Sequence, residues 1–178
     1  MKKESIKHLE LLIRLATRLD IPSLVSCSNG SAEEKERRGF GQPRSERAFG
    51  TIKNLEKAWD TLLQNEEIFV AESGEQVVGY IIVEVRSESI EIDDIAVSRE
   101  FQGKGIGRKL VDLIEHRAYS ESRKEVTLGT SKSASGIPWK SFSWWKSLGY
   151  VETGEEVHNS WTERFGGSEI RMKKQLLI

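Results

Sequence analysis

The sequence predicts one α/β domain of the α+β type, in which helices flank a mixed, mostly antiparallel sheet of six to seven strands. Two observations lead to this fold class. The apolar period changes from 3.6 residues in 51–65 to 2 residues from position 67 onward. A strand, a glycine-rich loop and a helix then follow one another over residues 89–118. The length of 178 residues fits a single domain.

The N-terminal part predicts a strand and two helices. Alternating leucines over 8–16 favour a strand, although a leucine-rich run of this length is also compatible with a helix. Asp20 and Pro22 are typical of a helix start, and this helix is expected to be short. Residues 26–50 contain several glycines and a charged run, which predicts a flexible loop, either a plain solvated connection or a lid over a substrate. A helix with one apolar stripe is expected over 51–65.

The next three segments predict an antiparallel meander with a defect in its last strand. Residues 68–72 and 76–85 form a hairpin around a turn at 73–75, and 89–97 form a third strand. Ile90 and Ile92 share one phase of this strand, whereas Ile95 and Val97 share the other. One extra residue in a β-bulge produces such a slip, so a bulge is expected near 93–96.

The remaining chain predicts a helix after the glycine-rich loop, a strand at 125–131, a helix at 137–148 ended by Gly149, and strands at 150–157 and 169–177. No internal repeat is visible.

Charge and composition exclude several classes of function. Lys plus Arg number 27 and Asp plus Glu number 28, so no global positive field attracts nucleic acid or an acidic membrane. No apolar run approaches the roughly 18 residues that span a bilayer, and the start of the chain lacks a secretory apolar stretch. We therefore expect a cytoplasmic protein without nucleic-acid or membrane partners.

Metal and disulfide chemistry is also not expected. Cys27 is the single cysteine, and His8, His116 and His158 lie far apart in the sequence. No pair has the spacing of a metal-binding motif.

The loop at 102–108 predicts a phosphate cradle. Glycines at every second position leave backbone N–H groups uncovered, and the following helix directs its positive end to the same place. A Walker A loop would need Ser or Thr after Gly103 and Lys104, where Gly105 stands. The dinucleotide fingerprint fails because its third glycine would fall on Arg108.

Three segments together resemble the GNAT superfamily of N-acetyltransferases. Residues 102–107 fit its Q/R-x-x-G-x-G/A signature, 92–97 resemble its bulged strand, and 144–150 resemble its closing aromatic-aromatic-x-x-L-G-aromatic segment. The start of the chain, at 12–21, resembles the family's opening strand and helix start. The resemblance implies a single N-acetyltransferase domain over 9–178, with a GNAT-like acyl-CoA N-acyltransferase fold, a bulged fourth strand and a flexible substrate-side loop at 26–50.

The resemblance also implies a site for acetyl-CoA as co-substrate. The bulged strand would part from its parallel neighbour, and its backbone would pair with the pantetheine arm while the glycine loop holds the pyrophosphate. The implied cofactor-binding residues are Ile95, Ala96, Val97, Gln102, Gly103, Lys104, Gly105, Ile106, Gly107, Arg108 and Trp145.

Catalytic residues follow less directly. An alkylammonium of pKa near roughly 10.4 needs a base, for which the resemblance implies Glu91. Asp93 would share the face of Glu91 in a regular strand, whereas a bulge could bring Asp94 to that face. Glu91 and Asp94 are therefore our catalytic candidates. All three carboxylates could equally be solvent-facing residues of the strand.

The leaving thiolate lacks an obvious proton donor. Trp145 occupies the position at which many members carry a general-acid Tyr. Ser141, Ser143 or Tyr150 could replace it, or no acid is used, since a thiol pKa near roughly 8.5 makes the thiolate a tolerable leaving group.

The sequence therefore leads to three hypotheses for the function: acetylation of a primary amine on a small molecule, acetylation of a protein N-terminus or lysine, and a non-catalytic acyl-CoA sensor. The expected partners are acetyl-CoA and an amine, in a monomer or homodimer.

Overall fold

Seven strands form one sheet in the order β1-β2-β3-β4-β5-β7-β6. The computed structural model describes residues 10–37, 50–163 and 166–176. Among the strands of these ranges, β4 and β5 are parallel and the other neighbouring pairs are antiparallel. This confirms the predicted mixed, mostly antiparallel sheet. The strands are β1 Leu11–Leu15, β2 Glu66–Ser73, β3 Gln76–Val85, β4 Ser89–Val97, β5 Glu125–Lys132, β6 Val151–Val157 and β7 Ser168–Gln175.

The helices cover both sides of the sheet. Their bounds are α1 Ile21–Arg37, α2 Ile52–Leu62, α3 Ile106–Ser120, α4 Ser141–Ser147 and α5 Ser160–Glu163. Apolar residues of α1 and α2 pack with Tyr80, Ile82 and Ala96 on one face of the sheet, called the α1 face below. Apolar residues of α3 pack with the opposite face, called the α3 face, which carries Ile90 and Ile92.

Helix α1 is longer than the sequence predicted. It was expected to be short and to give way to a loop over 26–50, but it continues through residue 37. Ile21, Leu24, Val25 and Ser28 are all buried at helical spacing, and this packing outweighs the low helix propensity of the Ser, Asn and Gly residues between 26 and 31. The rest of the expected loop, at 38–49, lies outside the described residues.

Two other boundaries differ. The strand expected at 8–16 is shorter, because β1 leaves out residues 10 and 16, and residues 8–9 lie outside the described part of the chain. The helix expected at 137–148 begins only at Ser141, because Lys132 bridges Pro138 and the Trp139 N–H bonds to the Ser131 carbonyl, which extends the sheet edge.

The predicted bulge is present in β4. Ile82 of β3 pairs with Asp94 and Val83 pairs with Ile92, so Asp93 is the extra residue. Because of this residue, Ile95 and Val97 return to the α3 face, where they pack with the cluster that contains Ile90 and Ile92. The shift in the apolar alternation therefore keeps the apolar side chains of this bulged strand on one face of the sheet.

Candidate active site

Strands β4 and β5 part in the middle of the sheet. Their parallel pairing runs from Ser89 with Glu125 to Ile92 with Leu128 and ends there, directly before the bulge residue Asp93. A bulge bends the strand that contains it. The edge of β4 beyond Ile92 therefore faces a gap.

A groove of about 610 Å³ begins at this gap and follows the first turn of α3. It is lined by the end of β4, the glycine loop, and the segment that leads into α4. All of the cofactor residues implied by the resemblance line it, except Lys104 and Trp145. The lining residues are Ile95, Ala96, Val97, Phe101, Gln102, Gly103, Gly105, Ile106, Gly107, Arg108, Trp139, Lys140, Ser141 and Trp144.

The glycine loop has the backbone geometry of an anion cradle. Gly103 and Gly105 have φ of 75° and 82°, in the left-handed region where glycine is not strained. The first bond of α3 runs from the Lys109 N–H to the Gly105 carbonyl at 3.1 Å, so the N–H groups of 106–108 precede the helical ladder. They can receive an anion at the positive end of a 15-residue helix.

The long side chains of the loop make local contacts. Nε2 of Gln102 donates to the Val97 carbonyl at 2.9 Å and so ties the loop to β4. Nζ of Lys104 lies 4.7 Å from the centre of the Phe101 ring, and Nε of Arg108 bonds to Asp112 at 2.7 Å. The backbone and not these charges therefore forms the cradle.

Trp144, and not Trp145, lines the groove. Trp145 is only 3% exposed and its ring meets Tyr150 edge-on at 5.2 Å, on the core side of α4. Trp144 lies three residues after Ser141, so both occupy the groove side of the helix. A Cβ at Gly107 would lie 3.4 Å from Cζ2 of Trp144, at van der Waals contact, so the indole lies against the first turn of α3. Helical phase could have identified Trp144, because Trp145 and Leu148 share the core face.

A smaller cleft of about 100 Å³ lies in the gap between β4 and β5. Ile95, Trp139 and Ser141 line both this cleft and the groove, so the two cavities meet at these side chains. The cleft residues are Ile92, Asp93, Asp94, Ile95, Leu128, Gly129, Thr130, Ser131, Trp139, Ser141 and Trp145.

Glu91 is buried in a set of ionic contacts. It is 3% exposed, and Arg171 of β7 donates to its Oε1. Oε2 accepts from Arg86 Nη1 at 3.3 Å and from the Thr127 hydroxyl. Both oxygens are therefore used in holding β4, β5 and β7 together, and Glu91 does not line the cleft. These contacts give Glu91 a structural role, and the catalytic role implied by the resemblance stays a prediction.

The bulge brings Asp94 to the α1 face, where both of its carboxylate oxygens accept hydrogen bonds. Its Oδ2 accepts from the Tyr80 hydroxyl at 2.6 Å, and its Oδ1 accepts from the Ile95 N–H at 2.9 Å. Tyr80 is fully buried, and burial followed by the charge of Asp94 raises the pKa of its phenol well above the usual value. Asp94 thus fixes the bulge backbone and satisfies a buried hydroxyl.

Asp93 is the third carboxylate of this segment. It has no hydrogen bond or ion pair among residues 10–37, 50–163 and 166–176, and it lines the cleft. Its side chain is exposed, and the neighbouring protein removes only part of its hydration. This partial desolvation, followed by the charges of Glu66, Glu91 and Glu84, raises the pKa of Asp93 to about 7, and Arg86 opposes the shift.

The three possible proton donors lie in different places. Ser141 lines both cavities, and its Oγ lies 3.2 Å from Oγ1 of the buried Thr130. Ser143 is exposed and lines neither cavity. Tyr150 is buried beneath α3, away from the cleft, and burial raises its pKa well above that of a free phenol. Ser141 is the candidate that the fold brings to the junction.

Two further observations concern metals and membranes. Among the described side chains, no group of three or more His, Cys, Asp and Glu residues is arranged to hold a metal ion. None of the helices in the described ranges combines the length and the apolarity that crossing a bilayer requires.

Known structures share this fold. The PaiA N-acetyltransferase from Thermoplasma acidophilum, solved in complex with coenzyme A, has a TM-score of 0.68 at 15% identity, with 94% of this chain and 99% of that chain covered. The ribosomal-protein-alanine N-acetyltransferase from Brucella melitensis has a TM-score of 0.67 at 24% identity, covering 93% and 99% of the two chains.

Sequence comparison identifies the family. The uncharacterized N-acetyltransferase YvbK from Bacillus subtilis (strain 168) is 34% identical over 77 residues, which are 42% of this chain and 49% of that protein. This chain thus matches about half the length of that relative. A family model described as an acetyltransferase (GNAT) domain matches residues 33–175. The parted strands, the glycine cradle and this match together show that the chain belongs to the GNAT acetyltransferase family.

Proposed function

We propose that the protein is an acetyl-CoA-dependent N-acetyltransferase that acetylates a primary amine, on a small molecule, by direct attack in a ternary complex. The junction at Ile95, Trp139 and Ser141 carries this proposal, because these residues line both the groove beside the phosphate cradle and the cleft. A thioester at this junction would face an amine that enters the cleft. Direct transfer needs both reactants in one site, which places them at near-attack distance.

The donor would be held chiefly by backbone groups. The edge of β4 from Ile95 to Val97 has left β5 and would pair with the amides of the pantetheine arm as an added strand does. The N–H groups of 103–108 would receive the pyrophosphate, with Phe101 and Trp144 as apolar walls. The coenzyme A complex of the structurally similar PaiA protein supports the choice of donor.

The size of the cleft favours a small acceptor. Its volume of about 100 Å³ accommodates an aminoalkyl group. Acetylation of a protein N-terminus would need an open groove for several residues of peptide. The similarity to a ribosomal-protein-alanine N-acetyltransferase keeps this second function as the alternative to test.

A third possibility is a sensor that binds acyl-CoA without turnover. The observation that favours it is the burial of Trp145 against Tyr150, at the position where a catalytic tyrosine is expected. The presence of Ser141 at the junction argues against it, since this residue supplies a hydroxyl there.

Initial-rate assays separate the three functions. Thiol release from acetyl-CoA would be followed with a panel of small mono- and diamines and, in parallel, with short peptides that have free N-termini or lysines. We expect turnover with a small amine, and saturation patterns of a sequential mechanism. The matched control is Gly107→Leu, whose side chain would meet Trp144 and narrow the groove.

Turnover with peptides alone would establish the protein acetyltransferase. Selective acetyl-CoA binding without turnover of any amine or peptide would support the hypothesis of a non-catalytic sensor.

A further inference from the structure

A second large cavity lies between α1 and the end of β4, and we call it the α1 cavity. Its volume of about 590 Å³ is close to that of the groove. Its walls are formed by residues 26–37 of α1, Gln76 at the start of β3, and residues 97–102. Among the described residues, it shares only Val97 and Gln102 with the groove and none with the cleft. The proposed acetyl transfer therefore leaves this space unused.

Two side chains hold the walls of the α1 cavity together. Sγ of Cys27 lies 3.0 Å from Oγ of Ser98, so the middle of α1 is joined to the residue that follows β4. Cys27 is buried, and burial raises the pKa of its thiol, so the thiol stays neutral at physiological pH. The cavity thus lies between elements that are already fixed to each other, as in most small-molecule sites.

Gly30 keeps the α1 wall of the cavity open. It lies in the interior of α1, where glycine is a poorer helix former than alanine. A Cβ at this position would meet no atom within 4 Å, so packing does not require glycine there. What the glycine does provide is space, because a larger side chain would project into the α1 cavity.

Charged side chains reach the α1 cavity from two walls. Arg37 is the last residue of α1, whereas Arg99 and Glu100 follow the end of β4. All three are exposed, and their side chains form no ion pair or hydrogen bond within residues 10–37, 50–163 and 166–176. Glu33 of α1 adds a second carboxylate to the lining. A guanidinium binds a carboxylate through two parallel hydrogen bonds, and a carboxylate accepts hydrogen bonds from an ammonium group.

We propose that the α1 cavity binds a small zwitterion with one carboxylate and one ammonium group, as in a free α-amino acid. This inference goes beyond the proposed acetyltransferase function and does not depend on it. Arg37 and Arg99 would bind the carboxylate, and Glu100 would bind the ammonium group.

The lining disfavours two other classes of ligand. Two arginines and two glutamates line the α1 cavity, so its charges balance and a polyanion would be repelled by the glutamates. No aromatic ring is present among the described lining residues, so a nucleotide base has no surface on which to stack.

Calorimetric titration with the standard amino acids tests the class of ligand. We expect one or more of them to bind with a dissociation constant of about 0.1 mM. The matched probes are the N-acetyl derivative, which lacks the ammonium group, and the α-amide, which lacks the carboxylate. Each should bind about tenfold more weakly than the parent amino acid. Absence of amino-acid binding, or equal binding of both derivatives, would overturn the proposal.

Two variants test whether the amino acid lies in the α1 cavity. Arg99→Gln removes one guanidinium and should weaken binding about tenfold. Gly30→Leu places a side chain in the cavity and should abolish binding, while Gly30→Ala should weaken it less. Both substitutions favour the helix, so urea denaturation should show no loss of stability. Unchanged affinity in Arg99→Gln and Gly30→Leu would overturn the location.

Arg18→Gln is the matched control for the loss of a guanidinium. Arg18 lies before α1, is paired with the exposed Asp60, and lines neither the α1 cavity nor the groove. Its substitution should leave amino-acid affinity unchanged. A loss equal to that of Arg99→Gln would contradict the proposal, because the arginines would then act only through the overall charge.

Coenzyme A separates the α1 cavity from the groove. It carries no acetyl group to transfer, and amino-acid binding should persist in its presence because the two spaces are distinct. Displacement of the amino acid by coenzyme A would place it in the groove and overturn the proposal. A wild type that binds the amino acid but no acetyl-CoA would contradict only the acetyltransferase proposal.

Discussion

Arg171 of β7 forms an ion pair with Glu91 of β4 across β5, the strand that lies between them. Arg171 is paired with Gly129 of β5, where no side chain stands in its way. A Cβ at Gly129 would in fact lie only 2.1 Å from the carboxylate of Glu169, which Arg171 also holds. The ion pair secures the last parallel residues of β4 and β5, and so fixes where the two strands part.

Removal of Arg171 should destabilise the protein strongly. Arg171→Met would leave the nearly buried carboxylate of Glu91 with Arg86, at 3.3 Å, as its remaining cation. We expect a loss of about 3 kcal/mol in the free energy of unfolding, measured by urea denaturation, because the buried carboxylate loses its closer cationic partner. The double variant with Glu91→Gln should recover part of the loss. Equal stability of Arg171→Met and wild type would show that the pair does not hold the strands.

Asp93→Asn should stabilise the fold at alkaline pH. The pKa of Asp93 is raised in the folded state, so between about 4 and 7 the folded chain retains a proton that the unfolded chain has lost. Stability therefore falls as pH rises through this window and stays lower above it. The asparagine variant avoids this loss, so its melting temperature should exceed that of the wild type at pH 8, with a smaller difference at pH 5. A larger difference at pH 5 would contradict the raised pKa.

Gly105→Ala tests the backbone of the cradle. A Cβ at Gly105 would meet nothing within 4 Å, so the effect comes from its φ of 82° alone. We expect a cost of about 1 kcal/mol in the free energy of unfolding and weaker acetyl-CoA binding as the loop relaxes. Gly105→Asn is the matched control, because asparagine tolerates the left-handed region better. Equal losses in both variants would indicate that the backbone conformation is not the cause.

Ser141→Ala tests the hydroxyl at the junction. A hydrogen bond to a developing thiolate should be lost, and we expect kcat to fall about tenfold with unchanged acetyl-CoA affinity. Ser143→Ala removes an exposed hydroxyl from the same helix and serves as the control, with full activity expected. Full activity of Ser141→Ala would show that the thiolate leaves without help from this hydroxyl.

Most of the sheet could be predicted from the alternation of apolar and polar residues in its strands. The meander, the glycine loop and the bulge were all visible, because each leaves a local signature such as the slip between Ile92 and Ile95. The length of α1 was not predicted, since its polar C-terminal half looks like a loop until the buried stripe at Ile21, Leu24 and Val25 is seen against the sheet.

The carboxylates were harder to assign from sequence. Glu91, Asp93 and Asp94 lie within four positions, and their roles depend on partners that are distant in the chain, such as Arg171, which is 80 residues from Glu91. No local pattern indicates that Glu91 is bonded across β5 or that Asp94 meets Tyr80. The sequence could therefore locate the acidic segment but not the residue whose oxygens are available.

Calorimetric titration with acetyl-CoA tests the central claim most directly, with ATP and NAD as parallel ligands and Gly107→Leu, which narrows the groove, as the control. We predict selective binding of acetyl-CoA to the wild type with a dissociation constant of about micromolar strength and loss of that binding in the variant. Failure to bind acetyl-CoA, or preference for ATP or NAD, would contradict the assignment of the groove beside the glycine loop as the acetyl-CoA site.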